Sequence, residues 1–293
     1  MSRSFRPFAA VAAIAATLTL GACSGSSSSD TVESTANSTQ SAAAGALETV
    51  TEGKLTFATS EPAYSPWILD NDPTSGEGYE SAVAYAVAEK LGYGAEDVVW
   101  VRATFDSSIA PGAKDWDLNM QQFSITEDRK KAVDFSSPYY TTSQAIIASP
   151  DSPAVGAKSI ADLKDVLVGV QTGTTSQQFV SSHLADGLSK APQFYNSSDD
   201  TVAALKSGQV DAIVVDLPTA FNMIATQIDN GVIVGQFADA TDGDTYGIVL
   251  PKGSSLTPAV TEAVDALAAD GTLAELQAKW LTITDGQEIP VLD

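Results

Sequence analysis

Cysteine and histidine are almost missing from these 293 residues: Cys23 and His183 are the sole examples. One cysteine closes no internal disulfide, and the two together cannot furnish a Cys₂His₂-type zinc site or most imidazole chemistry. No metal and no cofactor is therefore expected. Positive charge is scarce as well, with 15 Lys and Arg against 37 Asp and Glu and a formal net charge of -22. Such a surface repels phosphate backbones, which excludes nucleic acid as a natural partner and disfavours adhesion to an anionic bilayer by charge alone. Long apolar runs are lacking too. Phe8–Leu20 is too short for a hydrocarbon core of ~30 Å at ~1.5 Å per residue.

That short run has a different meaning in its context. Arg3 and Arg6 precede it, and Leu20-Gly21-Ala22-Cys23 follows it. A basic start, an apolar centre and small residues make a secretory signal over residues 1–22. The last four resemble the bacterial lipobox, whose cysteine is diacylated and becomes the new N-terminus; the plainer reading is a signal with an incidental cysteine. Two acyl chains on Cys23 would hold a domain stably at the outer face of a membrane. Residues 23–46 are mostly Ser, Thr, Ala and Gly with almost no branched aliphatic side chain, and read as a flexible tether.

Folded protein is expected from Leu47. Lys54–Ala58 and Val98–Arg102 read as strands, and Tyr79, Val83, Val87 and Leu91 mark one buried helix face stopped by Gly92. The grammar recurs: strand Val166–Val170, helix Thr174–Leu184, helix Thr201–Ser207, strand Val210–Val215, then strands over 231–236 and 246–250. A single amphipathic helix is expected from Val260 through Val264, Leu267, Leu273 and Leu276 to Trp280. This is an α/β chain with two lobes. Residues 47–148 plus 243–293 form lobe 1 and 149–242 form lobe 2, with a ligand cleft between them.

Three features could hold a ligand there. Arg129, in Ser124-Ile125-Thr126-Glu127-Asp128-Arg129, is either a carboxylate clamp or a surface residue paired with its acidic neighbours. Gly173-Thr174-Thr175 lies between a strand and a helix, where backbone N–H groups meet anions, although it is also an ordinary capped loop. Asp216 ends a buried strand, where it caps a loop or faces a cation. Together these would suit the carboxylate and ammonium of an α-amino acid. Tyr64 and Phe105 could wall the ligand's side chain or belong to the core.

The chain also carries Tyr64-Ser65-Pro66-Trp67, Asp134-Phe135-Ser136-Ser137-Pro138-Tyr139-Tyr140, Val168 to Thr175, Ala204 to Ala212, Tyr246-Gly247-Ile248 and Asp270-Gly271-Thr272-Leu273, in that order. With the Arg129 segment, this series resembles the polar amino-acid family of periplasmic-type solute-binding proteins, the receptors of ABC importers. The resemblance implies a monomeric two-lobed protein that closes on one amino acid, polar in its side chain, and docks on a permease. By position, Arg129 and Thr175 would hold the ligand carboxylate, while Ser124, Asp216 and the Gln122 carbonyl would take the ammonium. Tyr64 and Phe105 would flank the side chain and Glu61 would touch its far end. Gly78-Tyr79-Glu80, the Pro111–Asp117 stretch, Gln121 and Gln122 depart from the family pattern beside the expected pocket.

Two other classes compete. The same fold carries dehydratases of amino-acid-like acids, but no nucleophile–base pair is visible, so no enzyme is expected. His183 reads as a helix-surface residue, and Asp199/Asp200 and Asp242/Asp244 as solvated turns. A sensor for a separate signalling partner is the third reading.

Overall fold

The computed structural model describes residues 47–238, 244–281 and 288–293. The signal, the acylated Cys23 and the tether expected over residues 1–46 lie outside the described residues. The first half contains β1 (Leu55–Thr59), α1 (Tyr79–Lys90), β2 (Val98–Arg102), α2 (Phe105–Ile109), β3 (Leu118–Asn119) and β4 (Val133–Thr142). Next come β5 (Gln144–Ala148), β6 (Val168–Gln171), α3 (Thr175–Phe179), β7 (Gln193–Tyr195) and α4 (Ser198–Lys206). β8 (Ala212–Asp216), α5 (Leu217–Thr226), β9 (Val232–Phe237), β10 (Asp244–Pro251), α6 (Thr257–Ala269), α7 (Thr272–Trp280) and β11 (Val291–Leu292) complete the order.

These strands build two mixed sheets. The first runs β2-β1-β3-β10-β4, the second β11-β9-β5-β8-β6-β7. In the first, β1 lies parallel to β2 and β3, as a strand–helix–strand unit requires, and β10 returns antiparallel to β4. Its core packs α1, α6 and α7 on Leu55, Phe57, Leu118, Ile248 and Leu250. The second sheet is buried on both faces, which is why Ala145, Ile146, Ile147 and Ala148 read as one continuous apolar run. Gly78 enters α1 with φ 96, and a Cβ there would stand 2.5 Å from the Trp67 carbonyl oxygen, so only glycine fits.

Three expectations need correction. The first crossing falls at Ser143, not after Ala148, because Gln144–Ala148 pairs antiparallel with β8 and β9 in the second sheet. The C-terminal stretch does not stay with lobe 1: Val291 and Leu292 pair with Gln236 and Phe237, adding β11 to the second sheet with Leu292 fully buried. The long terminal helix is two helices. Gly271 adopts φ 87, and Asp270 accepts from the Thr272 N–H at 3.0 Å and from Lys90 Nζ at 2.7 Å, which caps α7 afresh. Similarly, Thr174–Leu184 is helical throughout but widens after Phe179 into a π turn over Val180–Leu184.

Candidate functional site

A cleft of about 580 Å³ lies between the two sheets' lobes, and all eight residues singled out from the sequence line it. The carboxyl ends of β1, β2, β6 and β8 lead into it, where α/β architectures place their ligand-contacting side chains. Polar contacts join the lobes directly. The Ser124 and Thr175 hydroxyls are 3.1 Å apart, Arg129 Nη2 donates to the Gly173 carbonyl at 3.0 Å, and Trp67 Nε1 donates to Thr219 Oγ1 at 3.4 Å.

Arg129 is only 7% exposed. It is no partner of its acidic neighbours: Glu127 pairs with Lys130 and Asp128 with Lys131. The Thr126 hydroxyl accepts the Arg129 backbone N–H at 3.2 Å, which turns the chain so that the side chain points inward. The guanidinium donates to the Ser124 carbonyl at 2.8 Å and sits 5.3 Å from the Phe105 ring centroid. Phe105 in turn stacks on Phe123 at 4.7 Å, so the cation has an aromatic floor. Burial lowers the Arg129 pKa, and the charges of Asp244 and Asp216 oppose that shift.

On the other wall, Gly173 adopts φ 75. The Thr174 hydroxyl caps α3 by accepting the Gln177 N–H at 3.1 Å, while Gly173 N–H donates to Gln177 Oε1 at 2.7 Å. The Gly173 amide, one of the anion donors expected here, is therefore already engaged. Asp216 ends β8 and does not cap α5 with its side chain. Its Oδ1 accepts Gln144 Nε2 at 2.6 Å, and the same nitrogen donates to Asp244 Oδ2 at 2.7 Å. Asp216 is partly accessible from the cleft, yet its enclosure by protein, reinforced by the Asp244 charge, pushes its pKa up to about 7. The Tyr246 hydroxyl, Gln144 and Arg129 pull the other way.

Gln122 adopts φ 52, and its backbone N–H donates to Glu80 Oε1 at 2.7 Å while its amide donates to the other carboxylate oxygen. Glu80 also accepts the Tyr139 hydroxyl and is fully buried, which pushes its pKa up to about 7. Tyr64 faces Asp199 from the opposite lobe; burial first, then that carboxylate, raise its phenol. Glu61 is half-exposed and bonded twice, by Arg102 Nε at 3.0 Å and Asn71 Nδ2 at 2.6 Å.

Sequence reasoning missed Glu80, Arg102, Gln144 and Asp244. Asp244 was expected in a solvated turn, but it opens β10 beside Asp216 because Asp244 pairs with Thr142 at the crossing between sheets. A signal existed only for Glu80, an acid in the first turn of a helix whose neighbours Tyr79 and Val83 are core. Asp199 lies at the cleft in the first turn of α4, and His183 is exposed and stacked on Phe179. Among the described residues no group of three His, Cys, Asp or Glu could hold a metal ion, and no helix is long and apolar enough to cross a membrane.

Comparison with known proteins gives a consistent result. The model of the bacterial extracellular solute-binding proteins, family 3, matches residues 55–283. The chain is 29% identical over 242 residues to the L-cystine-binding protein TcyJ of Escherichia coli (strain K12), covering 80% of this chain and 86% of that one. It is 31% identical over 206 residues to the arginine-binding extracellular protein ArtP of Bacillus subtilis (strain 168), covering 70% and 78%. Among solved structures, an ancestral arginine-binding protein bound to glutamine superposes with a TM-score of 0.65 at 33% identity, covering 78% of this chain and 98% of that chain. A two-lobed α/β fold, a polar cleft between the lobes and a family match across most of the length agree: the chain belongs to the bacterial extracellular solute-binding proteins, family 3.

Proposed function

We propose that this protein captures an L-α-amino acid between its lobes and delivers it to an ABC importer. The observation that carries this reading is the convergence of Arg129 from one lobe with Thr175 and Asp216 from the other in one cleft. A cation, a hydroxyl and an anion so arranged match a carboxylate and an ammonium on one carbon. Ser124 and the Gln122 carbonyl would share the ammonium, Tyr64 and Phe105 would flank the side chain, and Glu61 would stand at its far end. A ligand touching both lobes stabilises the closed arrangement over any open one, which is the signal a permease reads. Relatives named for cystine, arginine and glutamine support amino acids as the class.

The N-terminal residues complete the reading: export through residues 1–22, diacylation at Cys23 and a tether to residue 46 keep the receptor at the outer face of the cell membrane. Turnover is no part of this reading, which follows relatives named as binding proteins. The test is a melting series on protein refolded to remove carried-over ligand, against the twenty amino acids. A ligand at 100 times its Kd adds about 2.7 kcal/mol, a rise of several degrees. Arg129→Ala should weaken the ligand found by about 2–5 kcal/mol, as for truncating one partner of a buried charge pair. A flat panel, or an Arg129→Ala protein binding like wild type, would sink the proposal.

A further inference from the structure

Arg102 is one of only two arginines beyond Arg6, and the clamp makes no use of it. It ends β2, the edge strand of the first sheet, whereas Ser124, next to Arg129's turn, bridges to Tyr246 on β10. With the order β2-β1-β3-β10, these positions are three strand spacings apart, about 14 Å at ~4.8 Å each. Phe105, Glu61 and Arg102 line the same cleft as Arg129, so a ligand anchored there by its carboxylate needs a long side chain, running past Phe105, to reach the Glu61–Arg102 pair.

At that end the charges are already matched. Arg102 Nε meets Glu61 Oε2 at 3.0 Å, and Asn71 Nδ2 holds Glu61 Oε1 at 2.6 Å, so both carboxylate oxygens are engaged. The guanidinium is itself fixed. Nη1 donates to the Ser60 carbonyl and to Asn71 Oδ1 at 2.9 Å, and Nη2 donates to the Asn71 carbonyl at 2.7 Å. Swinging Arg102 away would break all of these contacts at once, together with the ion pair to Glu61. The remaining acid at the cleft, Asp199, sits in the first turn of α4, where the helix N-terminus offsets its charge, and faces the Tyr64 hydroxyl. Elsewhere Gln121, Asn222, Gln227 and Thr219 contribute neutral groups.

We infer that Arg102 is a specificity determinant: by holding Glu61 in an ion pair it selects an amino acid whose side chain is uncharged and hydrogen-bonding, against arginine and lysine. A cationic side chain reaching Glu61 would meet a fixed guanidinium beside it, and like charges held side by side repel even where, as here, the pair is partly open to solvent. This inference rests on the amino-acid reading above.

The test is titration calorimetry of the refolded protein, Arg102→Gln and Glu61→Gln with glutamine, asparagine, serine, threonine, arginine, lysine and glutamate. Wild type should bind at least one uncharged polar amino acid tenfold or more tighter than arginine or lysine. Arg102→Gln should raise the ratio of arginine to uncharged-ligand affinity at least tenfold. Glu61→Gln leaves Arg102 unopposed and should raise the ratio of glutamate to uncharged-ligand affinity by a similar factor, which also decides the matter if Arg102→Gln does not fold. Wild type that prefers arginine or lysine, or a variant whose ratio stays put, overturns the inference while leaving amino-acid capture intact. Failure of all three proteins to bind any amino acid would fail the receptor reading instead, and this inference with it.

Discussion

Asp216 is where single-residue chemistry has the sharpest consequence. Its carboxyl, raised to about 7 by enclosure and by Asp244, is faced by Tyr246, Gln144 and Arg129. A ligand ammonium needs the ionised form. The sign follows: above pH 7 the site is ready, and below it each bound ligand must first drive off a proton. Amino-acid ligands remain zwitterions across this range, so affinity should fall about tenfold per unit as pH drops below 7. Calorimetry at pH 5.5, 6.5, 7.5 and 8.5 measures it, and Asp216→Asn should bind weakly with no such slope. Arg129 and Asp216 were legible in the sequence because arginine is so rare here and because a lone acid ending an apolar strand is conspicuous. Arg102, Glu80 and Asp244 were not, since their meaning lies in partners 31 to 100 residues away.

Among elements, α1 shows how much a local pattern can deliver. Its limits and buried face follow from Tyr79, Val83, Val87 and the stop at Gly92, and the structure agrees within a residue. What the pattern does not show is why Gly78 must precede it. A methyl group there would collide with the Trp67 and Ile68 backbone, and φ 96 is strained for any residue with a side chain. Gly78→Ala should therefore destabilise by at least about 2 kcal/mol in urea unfolding, with native-like slope. Elements set by long-range pairing were harder to read. β4 contains Pro138 and polar Ser136, Ser137, Thr141 and Thr142, so its ten residues do not alternate cleanly, and only β10 reveals them as a strand. The break between α6 and α7 was hidden because the apolar spacing continues across Gly271 even though the backbone does not.

On the scale of the whole molecule, two lobes and a cleft were legible because strand–helix–strand units repeat, and a repeated unit of this kind builds a second sheet. The boundaries were not, because crossings are fixed by which strand pairs with which. Ser143 alone separates β4 in one sheet from β5 in the other, and a second crossing runs from β9 to β10. The third is β11, whose Leu292 packs against the Gly235 backbone and whose Asp293 carbonyl accepts the Ile160 N–H at 3.2 Å. Deleting residues 288–293 should lower the melting temperature by several degrees and widen the ligand-free particle in small-angle scattering. An unchanged scattering curve would leave β11 a purely local brace. Mechanically, two links placed side by side make a door that swings about one axis and is also free to wring. Pairing Val291 and Leu292 onto the second sheet adds a further anchor away from those two links, so this receptor should open along a narrower path and present the same rim each time.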